Sequence, residues 1–157
     1  MTITLVLVGK TDNRHLEALI NDYKKRLSFF VKFETMLIPD LKKRKNMEIE
    51  LQKEKEGELI LSKISPSDFV VLLDETGLEY SSTKMASWLQ KRMNTGLKNL
   101  VFVIGGPYGF SPKVYARGNQ KLALSKMTFS HQMIRLFFTE QLYRAFTILK
   151  NLPYHHE

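Results

Sequence analysis

A chain of 157 residues, 43% hydrophobic and 25% charged, is long enough to bury its own core without covalent staples. It contains no cysteine, which excludes disulfide scaffolds, thiolate zinc sites, iron–sulfur ligation and cysteine nucleophiles together. Twenty-four Lys and Arg against sixteen Asp and Glu leave a net charge of +8, which suits a polyanionic partner such as nucleic acid or a ribosomal surface.

Residues 2–8 are β-branched and apolar and predict a strand ending at Gly9-Lys10. The chain enters that strand with no basic lead-in and no small-residue cleavage site, so it does not read as a signal peptide. Leu16, Leu19, Ile20, Tyr23 and Leu27 recur at helical spacing with charges between them, the pattern of an amphipathic helix. Residues 31–38 read as a second strand, closed by Pro39. The run Lys42-Lys43-Arg44-Lys45 follows; four adjacent cations either stay solvated or meet an anion such as phosphate. Asn46 predicts the cap of a charged helix running to about Lys63.

Residues 69–74 form a buried-looking strand, and Ser82 predicts the cap of a helix that presents Met85, Ala86, Leu89 and Met93 on one face. Residues 100–104 are another continuous apolar strand, followed by Gly105-Gly106-Pro107-Tyr108-Gly109. These glycines permit either a tight turn or close backbone approach to a ligand. They match neither the dinucleotide fingerprint nor the Walker A loop. Ser111-Pro112 is the N-cap and first-turn signature of a short helix. Residues 122–125 read as a short strand and 131–150 as a long helix. The apolar residues of that helix cover too much of its circumference for a surface helix, so a second buried face, expected at a subunit interface, is predicted. Glu140 and Arg144, four apart, read as a helix-stabilising pair.

Each apolar run falls short of the roughly 18 residues of a membrane span, so no membrane partner is expected and the protein is expected to be cytoplasmic. With no cysteine and four histidines, no metal site is expected. No repeat or linker divides the chain, so one domain is expected over residues 1–157. Strands alternating with helices predict an α/β architecture, a mostly parallel sheet with helices on both faces. Ligands of such sheets bind beyond the carboxyl ends of the strands, which directs attention to the segments after Leu73, Ile104 and Leu124. The last of these, Leu124-Ser125-Lys126-Met127-Thr128-Phe129, reads either as a pocket wall for a ligand with a flat apolar ring and polar groups or as a plain strand-to-helix connection.

Taken together, several segments carry a family resemblance. They are Val8-Gly9-Lys10, Leu72-Leu73-Asp74 with Gly77, residues 102–109, residues 124–131, Glu140-Gln141-Leu142-Tyr143-Arg144-Ala145 and Pro153-Tyr154-His155. In order and spacing the chain resembles, over its whole length, the RlmH (YbeA-like) ribosomal RNA methyltransferases of the SPOUT superfamily. The resemblance implies a single SPOUT domain with a C-terminal trefoil knot, an exception to the usual absence of knots. It implies a homodimer that uses S-adenosyl-methionine to methylate N3 of a pseudouridine in helix 69 of 23S rRNA, on the assembled ribosome, with no DNA partner. Carried over position by position, Leu73, Gly105, Leu124, Ser125, Lys126, Met127, Thr128 and Phe129 would hold the cofactor.

The tail residues Tyr154 and His155 would be catalytic, closing over the neighbouring subunit's cofactor. Tyr154 would stack on the base. The N3 proton belongs to a weakly acidic imide, and a histidine titrating near 6.5 is suited to accept it; alternatively His155 only positions the base while water takes the proton. His156 stands where a basic residue is common in relatives, which would weaken any phosphate contact made there. Two other readings remain: a catalytically silent rRNA-binding assembly factor, and an enzyme acting on another RNA such as tRNA.

Overall fold

The computed structural model describes residues 1–41 and 46–156. Strands and helices alternate without exception: β1 (Thr2–Val8), α1 (Arg14–Leu27), β2 (Lys32–Ile38), α2 (Ile49–Leu61), β3 (Phe69–Glu79), α3 (Ser82–Asn94), β4 (Asn99–Ile104), α4 (Pro112–Arg117), β5 (Gln120–Ala123) and α5 (Met133–Leu149). The strands form one sheet in the order β2-β1-β4-β3-β5, every neighbouring pair parallel. Parallel neighbours cannot be joined by tight hairpins, so each crossover contains a helix.

Both faces of the sheet are covered, which is why its inner strands are continuously apolar rather than alternating. Ile3, Leu5 and Leu7 of β1 and Leu100, Phe102 and Ile104 of β4 point to one side. There they meet Leu27 of α1, Met85 and Leu89 of α3, and Phe138, Leu142 and Phe146 of α5. Val6, Val8, Val101 and Val103 point to the other side, with Val70 and Leu72 of β3, against Ile60 of α2 and Val114 of α4. The predicted α/β class and parallel sheet are what the chain adopts. Among the described residues no helix is long and apolar enough to cross a membrane.

Several sequence expectations need correction. β3 does not stop at Asp74 but runs on to Glu79, interrupted by a register shift between Leu73 and Leu78, both of which face Leu122 of β5. Residues 74–77 therefore bulge out of the ladder. At Gly77 the β5 backbone comes so close that a Cβ would lie 2.6 Å from Leu122 N. β5 begins at Gln120 and ends at Ala123, two residues earlier than expected. Ser81, not Ser82, caps α3 through a bond from Lys84 N, because the Ser82 hydroxyl donates to Gln141 Oε1 on α5. Asn46 does not cap α2; Glu48 holds that position without a side-chain bond. The basic run Lys42 to Lys45 lies outside the described residues.

Candidate active site

The carboxyl ends of β3, β4 and β5 open onto a cleft of about 680 Å³, within the range of small-molecule sites. Its floor is apolar, from Leu73, Ile104, Leu122 and Leu124, and its rim is formed by residues 105–110 and the segment leading to α5. The three strand-end loops singled out by the sheet argument thus converge on one place. Of the residues expected to hold a cofactor, Leu73, Gly105, Leu124, Ser125, Met127, Thr128 and Phe129 line the cleft, and Lys126 does not. A Cβ at Gly105 would lie 3.1 Å from the Phe110 ring and 3.4 Å from Gly109 O, so a side chain there would press the glycine loop out of shape.

Sequence reasoning missed what ties these loops together. The bulge of β3 is a polar hub. Asp74 accepts from Thr76 N at 2.8 Å, from the Thr76 hydroxyl and from the Tyr115 hydroxyl of α4. Glu75 accepts from Thr128 at 2.9 Å, and Lys121 donates to Thr76 at 2.9 Å. One four-residue segment therefore clasps the walls supplied by α4 and by the loop before α5. Burial alone would raise the Asp74 pKa, but the bonds from Thr76 and Tyr115 outweigh it and leave the carboxyl below its ordinary range. Burial, with the bond to Asp74, pushes the Tyr115 phenol up to about 12. Asp74 and Glu75 are the carboxylates of the lining, and among the described residues no Lys or Arg lines it. The available signal for Tyr115 was its place one helical turn after the Ser111 cap.

Tyr154 and His155 are not among the residues that line the cleft of their own chain. Asn151, with φ of 52°, turns the chain out of α5, and Leu152 N donates to Thr147 O at 2.9 Å. The tail then folds back along α5 and α1. Tyr154 donates to Glu140 Oε1 at 2.9 Å, so the 3.1 Å bond between the Tyr23 and Tyr154 hydroxyls must be donated by Tyr23. Tyr143 meets the Tyr154 ring edge-on at 4.8 Å, and the Arg144 guanidinium sits 4.7 Å over it. Burial and these hydrogen bonds raise the Tyr154 pKa well above the ordinary phenol value. The Glu140–Arg144 pair is thus more than a brace along the helix, because it also anchors the tail.

Arg135, fully buried on α5, fastens that helix beneath the sheet. It donates to Val8 O at 2.7 Å, Gly9 O at 3.0 Å, Thr11 Oγ1 at 3.2 Å and His131 O at 3.1 Å. Around the start of α5, Met127, Phe129, Met133 and Phe137 leave large apolar surfaces exposed, with the Phe129 and Phe137 rings 4.9 Å apart. Among the described residues no group of three or more His, Asp or Glu is placed to hold a metal ion.

The model described as "Predicted SPOUT methyltransferase" matches residues 1–155. The chain belongs to the SPOUT methyltransferase family. It is 67% identical, across 99% of both chains, to the ribosomal RNA large subunit methyltransferase H of Christiangramia forsetii. It is 62% identical over the full length of both chains to the protein of that name from Flavobacterium psychrophilum, and 57% identical to that from Phocaeicola vulgatus. A solved Legionella pneumophila methyltransferase with SAM bound overlays with a TM-score of 0.47 at 10% identity, covering 95% of this chain and 66% of its own.

Proposed function

We propose that this protein is a single-domain, cytoplasmic homodimeric enzyme that methylates ribosomal RNA of the large subunit, at N3 of a pseudouridine in helix 69 of 23S rRNA on the assembled ribosome, using S-adenosyl-methionine. The observation that carries the reading is the cleft itself. It gathers seven of the eight residues expected to hold the cofactor, in a chain matched end to end by relatives named for rRNA methylation.

The cleft fits the donor chemically. An apolar floor suits an adenine ring, and two carboxylates with no lining Lys or Arg among the described residues suit a positively charged sulfonium and repel a polyphosphate. When bound, the cofactor supplies an electrophilic methyl group. Leu73 and Leu124 would flank the ring, the glycine loop would let the backbone approach, and Asp74 and Glu75 would face the cation. Most of the acceleration then comes from holding the base nitrogen in line with the methyl group.

The second subunit is needed because Tyr154 and His155 lie away from their own cleft. The apolar surface of Met127, Phe129, Met133 and Phe137 beside the cleft supplies a two-fold contact, and the dimer doubles the net charge to 2 × 8 = +16. The trefoil knot belongs to the same reading, supported by the return of α5 from the β5 edge to bond the carbonyls that end β1. Transfer of labelled methyl to purified ribosomes, compared with free rRNA and tRNA, tests the reading. Methyl appearing on the helix 69 pseudouridine of ribosomes supports it. Ribosome binding without transfer would leave a silent assembly factor, and preferential labelling of tRNA would replace the substrate.

A further inference from the structure

The contact between Arg144 and His155 bears on where the imidazole proton sits. A guanidinium has N–H groups, no acceptor, and stays charged at any pH the fold survives. Arg144 Nη1 lies 3.3 Å from His155 Nδ1. As a hydrogen bond this contact needs the lone pair of Nδ1, and a neutral imidazole that accepts at Nδ1 has its proton on Nε2. Arg144 cannot easily turn away, because Glu140 Oε1 accepts from its Nε at 3.1 Å and its Nη2 at 2.5 Å. Glu140 is itself held by Tyr154 and by Gln141, and Gln141 by Ser82 of α3. Among the described residues, charged and titratable groups around the tail include Glu140, Tyr143 and Arg144 of α5, Tyr23 and Arg26 of α1, and Tyr154 and His156 of the tail. Of these, Arg144 bonds His155 directly.

We propose that Arg144 is a positioning residue that locks His155 as the neutral Nε2–H tautomer, so that His155 meets the target base as a hydrogen-bond donor and not as the acceptor of its N3 proton. The tautomer is a property of this chain alone; its catalytic consequence rests on the methyltransferase reading. A base role would need the lone pair on Nε2 and the proton on Nδ1, which would set two donors against each other at the Arg144 contact. The step then balances as follows. The N3 proton leaves to water, and the electron pair left on N3 spreads onto the flanking carbonyl oxygens, where Nε2–H donates to one of them. The N3 pair forms the new N–C bond as the S–C bond breaks, and the pair of that bond stays on sulfur as a neutral thioether. Donation to a developing oxyanion is worth more than donation to a carbonyl, so the bond favours the transition state.

Long-range proton–nitrogen correlation spectra of the full-length protein, labelled at histidine, read the tautomer directly, and the His155→Gln spectrum assigns the signal. The expected result near neutral pH is a protonated Nε2 and an unprotonated Nδ1, with Arg144→Met converting this to a mixture of tautomers. In single-turnover transfer, His155→Ala is expected to lose roughly a hundredfold in rate. His155→Gln, which keeps an N–H at the reach of Nε2, recovers to within about tenfold with the wild-type pH profile. An Nδ1–H tautomer, an even mixture or an imidazolium in the wild type overturns the proposal, as does a His155→Gln profile that loses the wild-type dependence on pH. If the wild type shows the expected tautomer but transfers no methyl to any RNA, the methyltransferase reading fails and the tautomer assignment stands.

Discussion

Two glycines show how differently the same substitution is tolerated at single positions. Gly77 sits in the β3 bulge with its Cα turned into the backbone of β5, where a Cβ would be 2.6 Å from both Lys121 C and Leu122 N. Backbone cannot step aside as a flexible side chain can, so Gly77→Ala is expected to cost about 3 kcal/mol and to loosen the cleft wall. Gly96 has φ of +73° but nothing within 4 Å of its would-be Cβ, so Gly96→Ala is expected to cost about 1 kcal/mol, from backbone strain alone. Urea unfolding of the two variants checks the order. The Asp74–Tyr115 clasp adds a pH signature at the same scale. Asp74 titrates below its ordinary value, so its contribution to stability is present above roughly pH 4 and disappears as pH falls through the folded-state pKa. Tyr115 is shifted the other way: its contribution is present below about pH 10 and is lost as pH rises through about 12. Accordingly, the stability gap between wild type and Asp74→Asn should be open at neutral pH and closed in acid. Tyr115→Phe should remove one late-ionising phenol from an ultraviolet pH titration.

Among the elements, α5 does three jobs, and the sequence disclosed them unequally. Its apolar excess announced two buried faces, and one of them is the packing of Phe138, Leu142 and Phe146 under the sheet. Arg135 was not legible as core, because a charge in an apolar run reads as surface until the carbonyls of Val8, Gly9 and His131 are seen converging on it. Desolvation lowers the Arg135 pKa, yet every bond it makes is to a neutral acceptor. Arg135→Met keeps the volume but strands those acceptors, so a loss of about 3 kcal/mol by urea unfolding is expected. The central strands were legible for the opposite reason: burial on both faces leaves an unbroken apolar run that has no other explanation. What sequence could not give was tertiary competition. Adjacent serines 81 and 82 are equally good caps, and the choice is made by Gln141, 59 positions beyond Ser82 on another helix. Likewise the three strand-end loops could be placed, but the clasp from Asp74 to Tyr115 depends on a bulge that no periodicity announces.

At the scale of the whole molecule, cleft and tail occupy separate places on one chain, and that separation makes the composite site testable by mixing. Consider two severely impaired variants. Thr128→Trp places an indole on the exposed lining of the cleft, removes the bond to Glu75 and blocks the cofactor while leaving the tail intact. His155→Ala spoils the tail and leaves the cleft intact. If each site pairs one subunit's cleft with the other's tail, a heterodimer of the two variants holds one fully intact site and one doubly damaged one. Co-refolding equal amounts makes half of the dimers mixed, each with one of two sites working, so activity should return to about a quarter of wild type from parents that keep about a hundredth or less. If instead each tail serves its own cleft, every site in the mixture holds one lesion and activity stays at the parental level. The single-variant dimers must first sediment at about twice 18.3 kDa, which separates a failure to assemble from a failure to complement. Recovery also requires that subunits exchange during refolding, so tagging one variant and recovering the other with it is the control that makes an inactive mixture decisive.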